Sequence, residues 1–209
     1  MAVYRIYVEK KPEFAVEASQ LKSEINDVLR IPSVTGVRII NRYDTEGLSR
    51  EDYLKAIPVV YMEPQLDLSY EKLPEAGSVF AVEYLPGQFD QRAASCEECA
   101  QLLCRCPRPT VRTARVYALN GDISADELSR IKKYLINPVE AREVSLDEKN
   151  TLRESYPAPD DVEVISGFTS LSDEEISRMA QSLGLAMDAD DLMFCRAYFK
   201  DEGRDPTIT

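Results

Sequence analysis

A pattern that recurs after about 75 residues constrains this chain more than any single motif. Tyr4, Ile6 and Val8 alternate with polar neighbours, and Phe80, Val82 and Tyr84 do the same. Phe14 has its counterpart in Phe89 at a spacing of 75. Ala18, Leu21, Ile25 and Val28 have theirs in Ala93, Cys96, Ala100 and Leu103 at the same spacing. Val37, Arg38 and Ile39 match Ala114, Arg115 and Val116 at 77, and the segment from Ser49 to Tyr53 matches that from Ser124 to Leu128 at 75. A unit that occurs twice can bury the same face of each copy about a local two-fold axis.

Each copy reads strand, helix, strand, helix, strand. In the first, residues 3–9 alternate with period two and predict a strand. Ala18, Leu21, Ile25, Val28 and Leu29 stripe one face of a helix over 15–30, which Ile31-Pro32 ends. Residues 34–42 are rich in β-branched side chains and predict a second strand. Ser49 caps a short helix that Pro58 stops, residues 59–62 give a third strand, and 63–77 connect the copies. In the second copy a strand over 79–85 precedes the turn pair Pro86-Gly87, and a helix spans 91–104. A strand over 111–119 meets a turn at Asn120-Gly121. Ser124 and Glu127 form a capping box opening a helix to about Leu135, and Asn137 to Glu140 starts a closing strand. Short connections between mixed elements predict an α+β protein, duplicated, with antiparallel sheets and helices on one face. The copies span about 1–75 and 76–148. Pro157, Pro159 and Asp160-Asp161 mark a linker. Within 149–209, two charged helices over 172–183 and 188–201 look too short to build a core and should lie against something else.

With 209 residues the chain can bury a sizeable core. Its formal net charge of −12 argues against nucleic acid or an anionic membrane as partner, since both would repel it. No apolar run approaches the roughly 20 residues that span a bilayer. The start, Met-Ala-Val-Tyr-Arg, lacks a secretory apolar region, so a cytoplasmic location is expected. There is no histidine at all. Ser-His and Cys-His catalysis within the chain are therefore excluded, as is a histidine-ligated metal.

Four of the five cysteines are Cys96, Cys99, Cys104 and Cys106. Cys96 and Cys99 have a metal-site spacing. They also share an apolar helical stripe with Leu103, where buried thiols act as small hydrophobes, and this reading is preferred. The run Pro86 to Arg92 could cradle an anion at a helix start, but it reads more simply as a turn with a cap. Arg42 and Arg115 could hold a phosphate, or be solvated arginines at a sheet edge. Asp188, Asp190 and Asp191, like Asp173, Glu174 and Glu175, fall at helix starts, where they complement the helix dipole.

Several stretches carry a resemblance. Val3-Tyr-Arg-Ile-Tyr-Val8, Arg38-Ile-Ile-Asn-Arg-Tyr-Asp44 and Glu83-Tyr-Leu-Pro-Gly-Gln-Phe-Asp-Gln-Arg92 look like the start of large single-chain phosphoribosylformylglycinamidine synthases. Leu135-Ile-Asn-Pro-Val-Glu140 resembles the end of the small subunit, PurS, of the multi-subunit form. Gly203-Arg-Asp-Pro-Thr207 resembles the end of the linker region ahead of the catalytic domain. The resemblance implies a PurS-like domain of two ferredoxin-like subdomains, followed by a small helical linker domain. Family members make a purine-precursor amidine from glutamine, ATP and formylglycinamide ribonucleotide, so ATP and magnesium are implied for the whole enzyme and no cofactor for this region.

The family's catalytic motifs follow these regions, and this chain stops at Thr209, so no catalytic residue carries over. The synthetase and glutaminase domains are the implied partners. Gln91 and Arg92, on a polar loop at a helix start, are the candidate interdomain interface, and surfaces left open could pair two copies. Two other readings remain: a regulatory small-molecule module between duplicated ferredoxin-like units, and an enzyme using carboxylates or Cys99.

Overall fold

The computed structural model describes residues 2–153 and 158–209, apart from the side chain of Gln181. Met1 and Pro157, both used in the reading above, lie outside the described residues. The chain divides into two compact units, Met1–Glu154 and Ser155–Thr209.

The first unit is α+β, built on one antiparallel sheet of six strands. These are β1 (Val3–Lys10), β2 (Val34–Glu46), β3 (Asp67–Tyr70), β4 (Ser78–Tyr84), β5 (Thr110–Gly121) and β6 (Ala141–Val144), in the order β3-β1-β2-β5-β4-β6. Where separate sheets were expected, the two halves share one. The long strands β2 and β5 join them, pairing from Val34↔Gly121 to Glu46↔Thr110. At the bulge beginning that ladder, Gly121 has φ +131, and an added Cβ would sit 1.9 Å from the Ser33 carbonyl oxygen. Only glycine fits there. Asn120-Gly121 is therefore a strand end, not the turn its composition suggests.

Strand alternation sends one set of side chains to each face. Four helices, α1 (Val16–Asp27), α2 (Arg50–Ala56), α3 (Gln91–Cys104) and α4 (Ala125–Leu135), bury their apolar sides in two clusters with strand residues. In one cluster Ala93, Cys96 and Ala100 of α3 pack with Ile6, Val8, Tyr43 and Val111, and with Tyr53 and Ala56 of α2. In the other, Leu21 and Ile25 of α1 pack with Phe80, Tyr117 and Leu119, and with Ile131 of α4. Each half thus lends its longer helix to the core over the other half's first strand, α3 over β1 and α1 over β4.

The opposite face carries Tyr7, Ile40, Ala81, Ala114, Val116 and Ala118, covered by Tyr70, Leu73, Ala76, Val144 and Leu146. It also holds Arg5, Arg42 and Asp44, with Arg42 1% and Asp44 0% exposed. Arg5 Nε lies 2.5 Å from Asp44 Oδ1, and Arg42 Nε lies 3.1 Å from Asp44 Oδ2 without the alignment of a hydrogen bond. The two guanidinium groups hold the chain that follows β6. Arg42 Nη1 donates to the Ser145 carbonyl (2.9 Å) and Arg5 Nη1 to the Leu146 carbonyl (2.6 Å). Farther along, Glu46 accepts from the Leu152 amide (2.8 Å), and Leu152 is buried.

Three strand expectations are corrected. The third strand of the first half is β3, inside the expected connection. Residues 57–61 instead continue α2 as a π-helical turn, because Pro58 sits at its start, where a missing N–H costs least. The last strand begins at Ala141, not Asn137. Asn137 instead turns the chain, its carbonyl accepting from the amides of Glu140 and Ala141. The match at 77 also fails. Val37 and Ile39 pack on the helix-bearing face, whereas Ala114 and Val116 pack on the other.

The second unit holds a 3-10 turn (Phe168–Ser170), α5 (Asp173–Ser182) and α6 (Ala189–Glu202). Contrary to expectation, it has a small core of its own: Phe168, Ile176 and Leu192 are buried, with Met179 and Phe199 against them. Asp205 ties the turn by accepting from the amides of Gly167 (2.7 Å) and Thr169 (3.0 Å). No helix among the described residues is long and apolar enough to cross a membrane.

Candidate functional site

The helix-bearing face has a groove over its centre. Its floor is the β2–β5 ladder, where Asn41 and Arg115 are direct partners. Directly opposed residues in an antiparallel ladder have Cβ atoms about 5 Å apart. Tyr43 and Tyr117 lie two residues beyond them on the same face and are buried. The walls are α1, which supplies Glu17, and α3, which supplies Arg92. The larger lobe of the groove has a volume of about 810 Å³ and the smaller about 680 Å³, and Asn41, Arg92 and Arg115 line both.

Local structure fixes each group. Asp90 caps α3 by accepting from the Ala93 amide (2.8 Å), and its other oxygen accepts from the Thr113 hydroxyl (2.7 Å). The helix start is thereby anchored to β5. Arg92, in the first turn, reaches over the floor and donates from Nη1 to the Tyr43 hydroxyl (3.1 Å). Among the described residues it has no carboxylate within ion-pair distance. Arg115 donates from Nη2 to Glu17 Oε1 (2.7 Å) across the groove. Asn41 Oδ1 is buried without a hydrogen-bond partner. Burial pushes the Tyr43 hydroxyl pKa up, against the pull of Arg92, so Tyr43 stays a neutral phenol. The groove collects arginine donors and the carboxylates of Glu9, Glu17, Glu63 and Asp67 over one unpaired amide oxygen, which equips it for recognition.

The sequence-derived candidates land in different places. Gln91 is exposed and lines only the smaller lobe, beside Arg92. Arg42 and Arg115 are not at an edge, since β2 and β5 are the central strands. Arg42 is on the far face. Burial pushes its pKa down and Asp44 pulls it up, while Arg5 adds to the downward push. Pro86-Gly87 forms a plain turn, with the Gln88 amide bonded to the Leu85 carbonyl.

Of the cysteines, Cys96 is core, 6% exposed, and burial pushes its thiol up to about 12. Cys99 departs from the expected inner face and is exposed. Cys104 Sγ lies 3.8 Å from the Asp52 carbonyl, and Cys106 packs at the margin of the same core. Asp188 and Asp191 form a capping box, and Asp173 pairs with Arg196 (2.6 Å). The sequence reading missed Asn41, Tyr43 and Glu17. Asn41 left a signal: it breaks the apolar series Val37, Ile39, Tyr43 on the face that packs against helices.

No known family model matches the chain, and no curated protein is significantly similar to it.

Proposed function

We propose that the first unit is a tandem duplication of PurS-like, ferredoxin-like halves, and that the chain is a non-catalytic scaffold region of a phosphoribosylformylglycinamidine synthase. One observation carries the reading. A single offset of 74 converts the strand ladders of the first half into those of the second. Tyr4↔Thr45 becomes Ser78↔Leu119, and Val8↔Asn41 becomes Val82↔Arg115. Tyr7↔Tyr70 becomes Ala81↔Val144, and Lys10↔Asp67 becomes Tyr84↔Ala141. The same offset exchanges Asn41 with Arg115, which face each other. An approximate dyad would pass between those two residues. The caps Ser49 and Ser124 share φ −68 and ψ 159, at an offset of 75.

The motifs that resemble the family supply the rest of the reading. Ammonia released at a glutaminase must reach an ATP-activated intermediate without escaping, so two distant sites must keep fixed positions. A rigid sheet covered on both faces can hold its neighbours in place. In the whole enzyme ATP and magnesium would act in the synthetase domain, and Gln91 and Arg92 would meet a neighbouring domain. The test is reconstitution in trans. Added to a synthase of this family lacking its own PurS-like and linker regions, the chain should restore glutamine-dependent amidine formation. Alone it should neither hydrolyse glutamine nor consume ATP. In that assembly Arg92→Ala should lower glutamine-dependent turnover more than ammonia-dependent turnover. Absence of restoration, or nucleotide consumption by the chain alone, overturns the reading.

A further inference from the structure

Helix α6 carries apolar side chains on two sides, and its own unit covers one of them. Leu192, Met193 and Phe199 pack into the small core. A second stripe is left uncovered: Phe194 is 75% and Tyr198 51% exposed, and Ala197 beside them is exposed as well. A helix that is apolar on both sides is ordinarily covered on both. Asp190, Phe194, Ala197 and Asp201 follow one another at spacings of 4, 3 and 4. That is the spacing of a seam along which two helices pack side by side. Tyr198 widens the seam on one flank, and the small Ala197 at its middle lets a partner's backbone come close. At 1.5 Å rise per residue the seam is about 16 Å long, three turns of helix.

Charge decides what lies there. Both ends of the stripe are acidic, and Asp190 and Asp201 are exposed. The basic residues of α6 and its C-terminal flank do not neutralise them: Arg196 pairs with Asp173, Arg204 pairs with Glu202, and Lys200 stands off the stripe. Residues 158–209 hold twelve acidic side chains against four basic ones, so the field around the stripe is negative. A second copy of the chain does not suit it. Antiparallel packing would set Asp190 of one copy against Asp201 of the other, and parallel packing would set each aspartate against itself. An anionic lipid surface is repelled for the same reason. A helix with an apolar face and basic flanks satisfies both the aromatic centre and the acidic ends.

We propose that the exposed side of α6 is a docking surface for a basic amphipathic helix of a partner protein. Its apolar face lies on Phe194, Ala197 and Tyr198, and its lysines or arginines lie opposite Asp190 and Asp201. The proposal goes beyond the scaffold reading and stands without it, since it concerns the surface of the second unit alone.

The experiment is fluorescence anisotropy of the full chain with labelled helical peptides of about 18 residues, long enough to cover the seam. One peptide has a leucine face and a lysine face, the second a leucine face and a glutamate face, and the third an alanine face and a lysine face. The leucine–lysine peptide should bind with a Kd in the micromolar range and roughly tenfold or more tighter than the other two. Amide hydrogen exchange in α6 should slow when it binds. Phe194→Ser with Tyr198→Ser should weaken that binding roughly tenfold or more. The same pair should leave the unliganded Tm near the parent's, because both side chains are exposed. Asp190→Lys with Asp201→Lys should invert the preference, making the leucine–glutamate peptide the tighter ligand. The proposal is overturned if the leucine–lysine peptide does not bind, if the alanine–lysine peptide binds as tightly, or if both folded variants bind as the parent does. It is also overturned if the chain alone forms a dimer in sedimentation, or binds anionic phospholipid vesicles, and the substitutions at Phe194 and Tyr198 abolish that association. None of these outcomes depends on reconstitution, so this idea and the scaffold reading can fail separately.

Discussion

Asp44 is the residue on which the far face of the sheet depends. Its carboxylate is the anion between two guanidinium groups, and all three side chains are nearly or fully buried. Burying ions is expensive, and the cost is recovered only when each is paired. Asp44→Ala would leave Arg5 and Arg42 facing each other without a counter-ion. We expect a loss of about 3–5 kcal/mol, read by urea unfolding. The double variant Arg42→Met with Asp44→Ala should recover part of that loss, because it also removes a buried charge. If Asp44→Ala unfolds within about 1 kcal/mol of the parent, which is within reach of a solvent-exposed pair, the triad is not sealed. None of this was legible in the sequence. Arg42 and Asp44 alternate with Tyr43 as polar strand residues do on any solvated face. Their burial comes from the chain after β6, which has no sequence signature as a cover.

Elements were legible where local chemistry sets them. The capping boxes Ser124/Glu127 and Ser172/Glu175 stand as read, each with its reciprocal hydrogen bonds. Ser124→Ala should destabilise the first unit by about 1 kcal/mol, the usual cost of a lost N-cap. The Ser124 amide, followed by its hydroxyl, holds the Glu127 carboxyl below the ordinary value of 4.5. A lowered pKa in the folded state stabilises above the unfolded pKa, and the effect fades as pH falls through the folded value. The stability difference between the parent and Glu127→Gln should therefore be largest near neutrality and shrink below pH 4.5. A difference that grew in acid would contradict the capping box. Strand β3 was missed although Leu66, Leu68 and Tyr70 alternate with Asp67 and Ser69, because so short a run between Pro64 and Pro74 reads as part of a connection. Asp67 is buried there for a different reason, its ion pair with Lys10 (2.8 Å) and its acceptance from the Glu63 amide (2.7 Å).

At the scale of the molecule, residue patterning suggested a repeat, but not the offset at which the strand ladders correspond. Similar residue types gave spacings of 75 and 77, whereas the ladders give 74. An odd error moves a strand residue to the wrong face, and type-matching cannot detect it, since Val37 and Ala114 are both apolar. The central groove was half legible: Arg92 and Arg115 drew notice separately, and only the fold brings them together over Asn41. Each unit has its own buried cluster, and a unit with its own core can in principle fold alone. A chain of residues 1–153 should unfold cooperatively, with the same near-ultraviolet circular dichroism per tyrosine environment as in the intact protein. A broad, non-cooperative transition would show that the sheet requires the helical unit.

The grip of Arg5 and Arg42 on the segment after β6 falls on the carbonyl oxygens of Ser145 and Leu146. Every amino acid carries that oxygen. The route taken by this stretch is therefore dictated by the hand that holds it, and of its own lettering only the apolar side chain of Leu146, which packs on the same face, is tied to the clasp.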